Sequence, residues 1–230
     1  MDLPIHLAMT AGEFQSCREL PKTVAWMSCH FSSASLGLSN LPGSLPPESI
    51  LILDDAFPMN EHDPKTIFWE LTEFLQQCPV KALLLDFQRE RTVQEDALVD
   101  ALTALPCPVA APPDYAREIP CGVFLPPCPT YLLPERYLKE WEGREIWLEF
   151  AIESHTLELA EDGCNIREGI ENRQTDYWDE KLCCRYDLEC LDDRAFFYLQ
   201  RREEDLLPLW ERFAALGVTG AVGLYQELGK

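Results

Sequence analysis

Two short acidic runs carry the most evident chemistry in this chain. One reads Leu53-Asp54-Asp55-Ala56-Phe57 and the other Leu85-Asp86-Phe87-Gln88-Arg89, and each closes a stretch of aliphatic residues. A carboxylate ending an otherwise apolar strand is costly unless it has a partner or a task. Alternation along the second run sets Leu84, Asp86 and Gln88 on one face and Leu83, Leu85 and Phe87 on the other. If the two runs are neighbouring strands, their carboxylates converge at one mouth. There a carboxyl pair could serve as acid and base, or hydrogen-bond a polar ligand. Glu149 and Glu227 stand near the ends of two further apolar runs. The competing employment of all these acids is to cap helices or to pair with Arg89, Arg91 or Lys81. The catalytic candidates are therefore Asp86, Asp55 and Glu149. The candidate ligand-binding set is Asp86, Gln88, Asp54 and Asp55, with Trp26 or Phe57 as a stacking surface.

Other reactive residues form weaker patterns. Cys29 and His30 are base and nucleophile types, but adjacent strand residues point to opposite faces, which separates them. His6, His62 and His155 share no metal-ligand spacing, and His62 reads as part of a helix entry. Phe31, Phe87, Tyr115, Tyr131 and Trp147 are expected near strand ends, where aromatics act more often as packing than as sugar platforms. There is no Gly-x-Gly-x-x-Gly and no phosphate loop, so no nucleotide cofactor is expected. No Gly-x-Ser-x-Gly elbow occurs, and Ser32-Ser33-Ala34-Ser35 reads as a loop.

The elements that must position these residues are short apolar runs recurring along the whole length. Eight strands are expected: Ile5–Met9, Val24–Phe31, Ile50–Asp54, Ala82–Phe87, Val109–Ala111, Gly122–Leu125, Ile146–Ile152 and Gly220–Tyr225. Asp63-Pro64 opens a helix through Cys78, with Ile67, Phe68, Leu71, Phe74 and Leu75 at helical spacing. Further helices are expected from about Val93 to Leu105, over Pro134–Trp141, and over Glu203–Leu216 with Gly217 at the C-terminal cap. Before that last helix–strand unit, Thr156–Leu159 and Cys164–Glu168 flank Asp162-Gly163, a strong hairpin signal. Arg185–Leu191 and Ala195–Gln200 flank Asp192-Asp193, a weaker one. The fold class expected is α/β: a (β/α)8 TIM-like barrel with some short or missing helices and a β-hairpin insertion. An open α/β sheet is the rival, and in either the sites lie at the C-terminal ends of the strands. Residues 1–230 read as one barrel domain, with a β-rich insertion at about 153–200.

Composition bounds the partners. The chain has 230 residues, 47% of them hydrophobic and 26% charged, enough for a sizeable core. Forty acidic against 19 basic residues give a formal net charge of -21, which repels phosphate backbones and anionic membranes. Neither nucleic acid nor membrane is expected as a partner. The start Met1-Asp2-Leu3-Pro4 has no signal-peptide pattern, so a cytoplasmic location is expected. Ten cysteines without a Cys-x-x-Cys pair read as small apolar residues in a reducing compartment, with neither disulfides nor a structural metal.

Asp86-Phe87-Gln88 closing an apolar fourth strand resembles the chitinase-like barrels of glycoside hydrolase family 18. Their fourth strand carries Asp-x-x-Asp-x-Asp-x-Glu. The resemblance implies substrate-assisted chemistry, in which the Glu protonates the leaving oxygen and the Asp before it orients the sugar's acetamido group. On that pattern the four acidic positions read Lys81, Leu84, Asp86 and Gln88. A carboxamide has no acidic proton to deliver. The family's Ser-x-Gly-Gly, its Met-x-Tyr-Asp and its tryptophan in the eighth strand are also missing. The expected function is a chitinase-like barrel that binds a carbohydrate or similar polar ligand at its mouth without hydrolysing it. Two alternatives stand beside it: a glycoside hydrolase with Asp55 or Glu149 as a rewired acid, and an interaction protein acting through the β-rich insertion.

Overall fold

Eight parallel strands with helices between them close into a ring in the computed structural model, which describes residues 4–59, 62–171, 173–191 and 193–229. The first ring strand, β1 (His6–Met9), is followed by α1 (Ala11–Ser16), whose start is fixed by a reciprocal cap between Thr10 and Glu13. β2 (Val24–Phe31) pairs with β1 on one side and, antiparallel, with the two-residue β3 (Leu38–Ser39), which stands outside the ring. β4 (Ile50–Asp54) leads into α2 (Pro64–Gln77), where Asp63 caps through the Lys65 N–H and Pro64 occupies the first turn. β5 (Ala82–Asp86) leads into α3 (Val93–Leu102), capped by Thr92 and Glu95. β6 (Val109–Ala111), the one-turn α4 (Pro113–Ala116) and β7 (Gly122–Leu125) follow.

The chain divides into two compact units. One is Ile5–Leu125, Gly143–Glu149 and Thr219–Lys230, and the other Met1–Pro4, Pro126–Glu142 and Phe150–Val218. The second unit begins its regular structure at α5 (Pro134–Leu138). After the ring strand β8 (Ile146–Phe150) it builds a five-stranded antiparallel sheet. Its strands are β9 (Ser154–Ala160), β10 (Gly163–Glu168), β11 (Tyr177–Asp179), β12 (Cys184–Leu191) and β13 (Arg194–Gln200). Gly163 pairs with Ala160, so the first hairpin turns on Glu161-Asp162, one residue earlier than expected. In the second hairpin Leu191 pairs with Arg194, and Asp192 lies outside the described residues. Arg201, 1% exposed, donates to the carbonyls of Cys128, Pro129, Leu182 and Cys183 and so ties this unit's loops to its sheet. α6 (Leu206–Ala215) ends at Gly217, whose φ of +90° suits glycine. β14 (Gly220–Leu224) closes the ring against β8 and β1, and α7 (Tyr225–Leu228) follows at once. β8 and β14 are thus shorter than expected at their C-terminal ends, because Ala151-Ile152 leave the ladder and Tyr225 starts a helix.

Two apolar layers hold the ring unit. Outside the ring, Trp26, Cys29, Phe31, Leu51, Leu53, Leu83 and Leu85 meet Ile67, Leu71 and Phe74 of α2 and Leu98, Val99 and Leu102 of α3. Inside, Ala8, Ala25, Ile50, Ile52, Ala82, Leu84, Ala110, Trp147 and Val222 fill the lumen. Trp147 is the large member of a set otherwise small or branched. A Cβ on Gly220 would come within 2.3 Å of the Trp147 ring, so only glycine leaves room for the indole. All ten cysteines are unpaired. Among the described residues no helix is long and apolar enough to cross a membrane.

Candidate functional site

Above the lumen side chains, the C-terminal ends of the ring strands enclose a cavity of about 100 Å3. Its apolar wall is Ala8, Met27, Ile52, Phe124, Val222 and Leu224, and its polar residues are Asp54, Asp86, Gln88 and Glu149. Strand geometry accounts for the set. In β5, Ala82 and Leu84 point into the lumen, so Asp86 does too. In β4, Ile50 and Ile52 point inward and Asp54 follows them; in β8, Trp147 points inward and Glu149 follows it. Asp54 and Asp86 are direct register partners on adjacent parallel strands, and His30 is the partner of Asp54 on its other side. The row His30–Asp54–Asp86 is thus spaced at the strand separation of about 4.8 Å.

Each mouth carboxylate has a distinct environment. Asp86 is half-buried and accepts a hydrogen bond from Gln88 Nε2 at 3.0 Å. Asp54 accepts the Ala56 N–H at 2.8 Å. Burial, opposed by the Ala56 N–H and by His30 and reinforced by the charges of Asp86 and Asp55, raises the Asp54 carboxyl above the ordinary value of 3.8. Glu149, on β8, is half-buried on the same cavity wall.

Asp55 does something else. It is 4% exposed, and it accepts the backbone N–H of Gln88 at Oδ1 (3.0 Å) and of Arg89 at Oδ2 (2.7 Å). The Arg89 side chain returns the contact, with Nε donating to the Asp55 carbonyl and a terminal nitrogen to that of Ala56, both at 2.7 Å. The Asp55 carboxylate therefore sews the loop after β4 to the loop after β5, and it does not line the mouth cavity.

The aromatic candidates disperse. Trp26 is buried in the outer core, its Nε1 donates to the Asn40 carbonyl at 2.8 Å and Phe14 stands edge-on to it, so it offers the mouth no stacking surface. Phe31, Phe87 and Tyr115 belong to the same outer layer, and Tyr131, in the second unit, packs edge-on to His155. Phe57 is 41% exposed and lies 5.3 Å from the His30 ring, but it lines a different cavity. Cys29 and His30 do point apart: Cys29 is fully buried in the outer core, while His30 turns toward Asp54. Met27 and Phe124 of the cavity wall were not among the sequence candidates, and His30 was a candidate only as a partner of Cys29. His30 could be placed beside Asp54 only with the register in hand, since a bulge between Trp26 and Cys29 shifts it. Met27 and Phe124 carried no signal beyond apolar strand pattern.

No protein-family model matches the chain, and no curated protein matches it. Solved structures do. The spore cortex-lytic enzyme SleL of Bacillus cereus superposes with a TM-score of 0.54 at 9% sequence identity, covering 90% of this chain and 64% of that one. SleL of Bacillus megaterium QM B1551 matches with a TM-score of 0.48 at the same identity and coverage. This chain thus spans less than two thirds of either enzyme's length, and the likeness to the first is one of barrel fold.

Proposed function

We propose that this chain is a glycoside-hydrolase-like barrel whose mouth binds a carbohydrate or similar polar ligand without hydrolysing it. The carrying observation is Gln88, whose amide donates to Asp86 in the mouth cavity; on the sequence resemblance to chitinase-like barrels of glycoside hydrolase family 18, its position is that of the acid. A carboxamide holds an acceptor and two donors for a sugar hydroxyl but cannot protonate a leaving oxygen. The barrel likeness to a cortex-lytic enzyme supports the carbohydrate class. The cavity's size narrows the mode. At about 100 Å3 it is below the roughly 300 Å3 of ordinary ligand pockets, so an exocyclic group enters and the sugar ring lies over it.

One observation favours a second reading, an active hydrolase with a rewired acid: Glu149 shares the cavity with Asp54 and Asp86. The two readings part in one experiment. The chain is titrated calorimetrically with an N-acetylglucosamine tetrasaccharide, and the same mixtures are assayed for new reducing ends. Binding that is lost in Asp86→Ala, with no reducing ends released, is the expected result. Turnover that disappears in Asp86→Ala or Glu149→Gln would overturn the non-hydrolytic reading, and no binding at all would overturn both.

A further inference from the structure

The five-stranded sheet of the second unit is amphipathic, and its register sets side chains in rows across β10, β9, β13 and β12. One row is Ile166, Leu157, Phe197 and Leu188, and the next, on the same face, is Cys164, Leu159, Ala195 and Cys190. None of these residues is buried; Ile166, Leu159 and Leu188 are 44%, 39% and 47% exposed. The opposite face is polar. There Glu158 pairs with Arg194 at 2.5 Å and Glu189 with Arg173 at 2.6 Å, and the Arg173 guanidinium lies over the Tyr198 ring. Thr156 and Tyr198 of that face are buried, and the Thr156 hydroxyl donates to the Gly169 carbonyl at 2.7 Å. An antiparallel sheet with one solvated face normally turns its apolar face to the core. Here two apolar rows stand open.

Strands about 4.8 Å apart and residues about 3.4 Å apart give the open face an extent of roughly 19 by 20 Å, or about 400 Å2. An exposed apolar patch of that size marks an interaction site. Its border is acidic. Both hairpin turns lie at one end, since Ala160 pairs with Gly163, Leu191 with Arg194, and Leu159 with Ala195. Those turns expose Glu161, Asp162 and Asp193, and Glu168 is exposed at the far end of β10. Arg194, the cation beside the turns, is already taken up by Glu158. Area and charge together choose the occupant. A second copy would bury about 400 Å2 per partner, half of the roughly 800 Å2 of a standard interface. It would also set like borders together with a net charge of -21 on each chain. One helix, about 10 Å across and 20 Å long over about 13 residues, fits on the face.

We propose that this sheet face docks a basic amphipathic helix of a partner protein. The apolar side of the helix lies across the two rows, and its lysines or arginines meet the acidic turns. The surface does not rest on the reading of the mouth.

The probe is a leucine–lysine peptide of about 18 residues patterned as an amphipathic helix. Its controls are a peptide of the same composition with the pattern scrambled and one with glutamate in place of lysine. Cys164 and Cys190 stand at the two ends of one row, so their rates of carboxymethylation report occupancy, with Cys17 of the ring unit as the reference. The expected result is saturable protection of both thiols by the patterned peptide, none of Cys17, and none by either control. Affinity should fall about threefold to tenfold in Leu188→Ala or Ile166→Ala, whose side chains are exposed enough to remove without unfolding, and should be lost in Leu188→Lys. Thiols that stay unprotected, or affinity unchanged in these variants, overturn the surface. Equal binding of the scrambled peptide also overturns it, because net charge alone would then account for the contact. Equal binding of the glutamate peptide overturns the basic class. A chain that sediments as a dimer and becomes monomeric in Leu188→Lys overturns the partner in favour of a second copy, and protection by phosphatidylcholine vesicles overturns it in favour of a membrane.

Discussion

Replacing Asp55 by alanine should cost the fold far more than replacing Asp86, although the two acids stand at the ends of neighbouring strands. The magnitude follows from what each carboxylate holds. Asp55 is 4% exposed and accepts two backbone N–H bonds, at 3.0 and 2.7 Å, from consecutive residues of the next loop. Hydrogen bonds to a charged acceptor contribute about 1.5–3 kcal/mol each. Both donors are stranded together in Asp55→Ala, and some water reaches them through the space left by the side chain. The net loss should be about 3–4 kcal/mol. For a chain of this length that lowers Tm by about 6–16 °C. Asp55→Asn keeps one acceptor but turns an amide NH2 against the second N–H, so it should recover no more than about half of the loss. Asp86 has one side-chain partner, Gln88 Nε2, and is half-buried, so Asp86→Ala should shift stability by about 1 kcal/mol or less. Circular dichroism melts and urea titrations of the three variants measure this directly. If Asp55→Ala melts like the wild type while losing ligand affinity, Asp55 is a ligand contact and the role assigned to it is refuted.

Three other outcomes follow from the same structure. The Asp54 carboxyl is raised above 3.8 in the folded chain, so its stabilising contribution is complete below that value and is lost as pH rises through the folded value. Asp54→Asn, neutral throughout, should therefore melt above the wild type near neutral pH and lose that advantage below 3.8; a constant offset across the range would contradict it. Gly220→Ala drives a methyl to 2.3 Å from the Trp147 ring and should destabilise by about 2–3 kcal/mol, with a coupling to Trp147→Phe in a double-mutant cycle; additive effects would show that the indole moves freely. Iodoacetamide should modify Cys164 and Cys190, both exposed, well before Cys128 and Cys184, whose thiols burial pushes up to about 11 and about 12. Peptide mass mapping after short exposure reads the order.

What the sequence made legible was local or periodic. Asp63-Pro64 marks the start of α2 because capping chemistry needs only adjacent residues. The aliphatic runs of β4 and β5 marked ring strands because parallel strands are buried on both faces. Alternation put Leu84, Asp86 and Gln88 on one face, which is the face turned inward. Long-range geometry decided the rest. Alternation sets Asp54 and Asp55 on opposite faces, but only ring closure decides that the first turns into the mouth and the second toward the next loop's N–H groups. The bulge between Trp26 and Cys29 is likewise invisible in the residues, and it is what pairs His30 and not Cys29 with Asp54. The Thr10–Glu13 cap of α1 was readable in principle, but six residues give no periodicity to support it.

The mouth's size shows how lumen packing governs what the acids can do. Trp147, 1% exposed, occupies the ring because Gly220 opposite it has no side chain, and Leu84, Ile52 and Val222 close the space above. Asp54, Asp86 and Glu149 are therefore held over a packed floor, not around a deep well. A carboxylate so placed is costly to charge: burial chiefly raises the Asp54 carboxyl, and repulsion from Asp86 adds to it. One proton or one donor group from a ligand relieves that repulsion. Under the proposed binding role this favours ligands that bring several hydroxyl or amide donors to one small opening, and the affinity of the mouth should fall when Asp54 is replaced by an amide that needs no such relief.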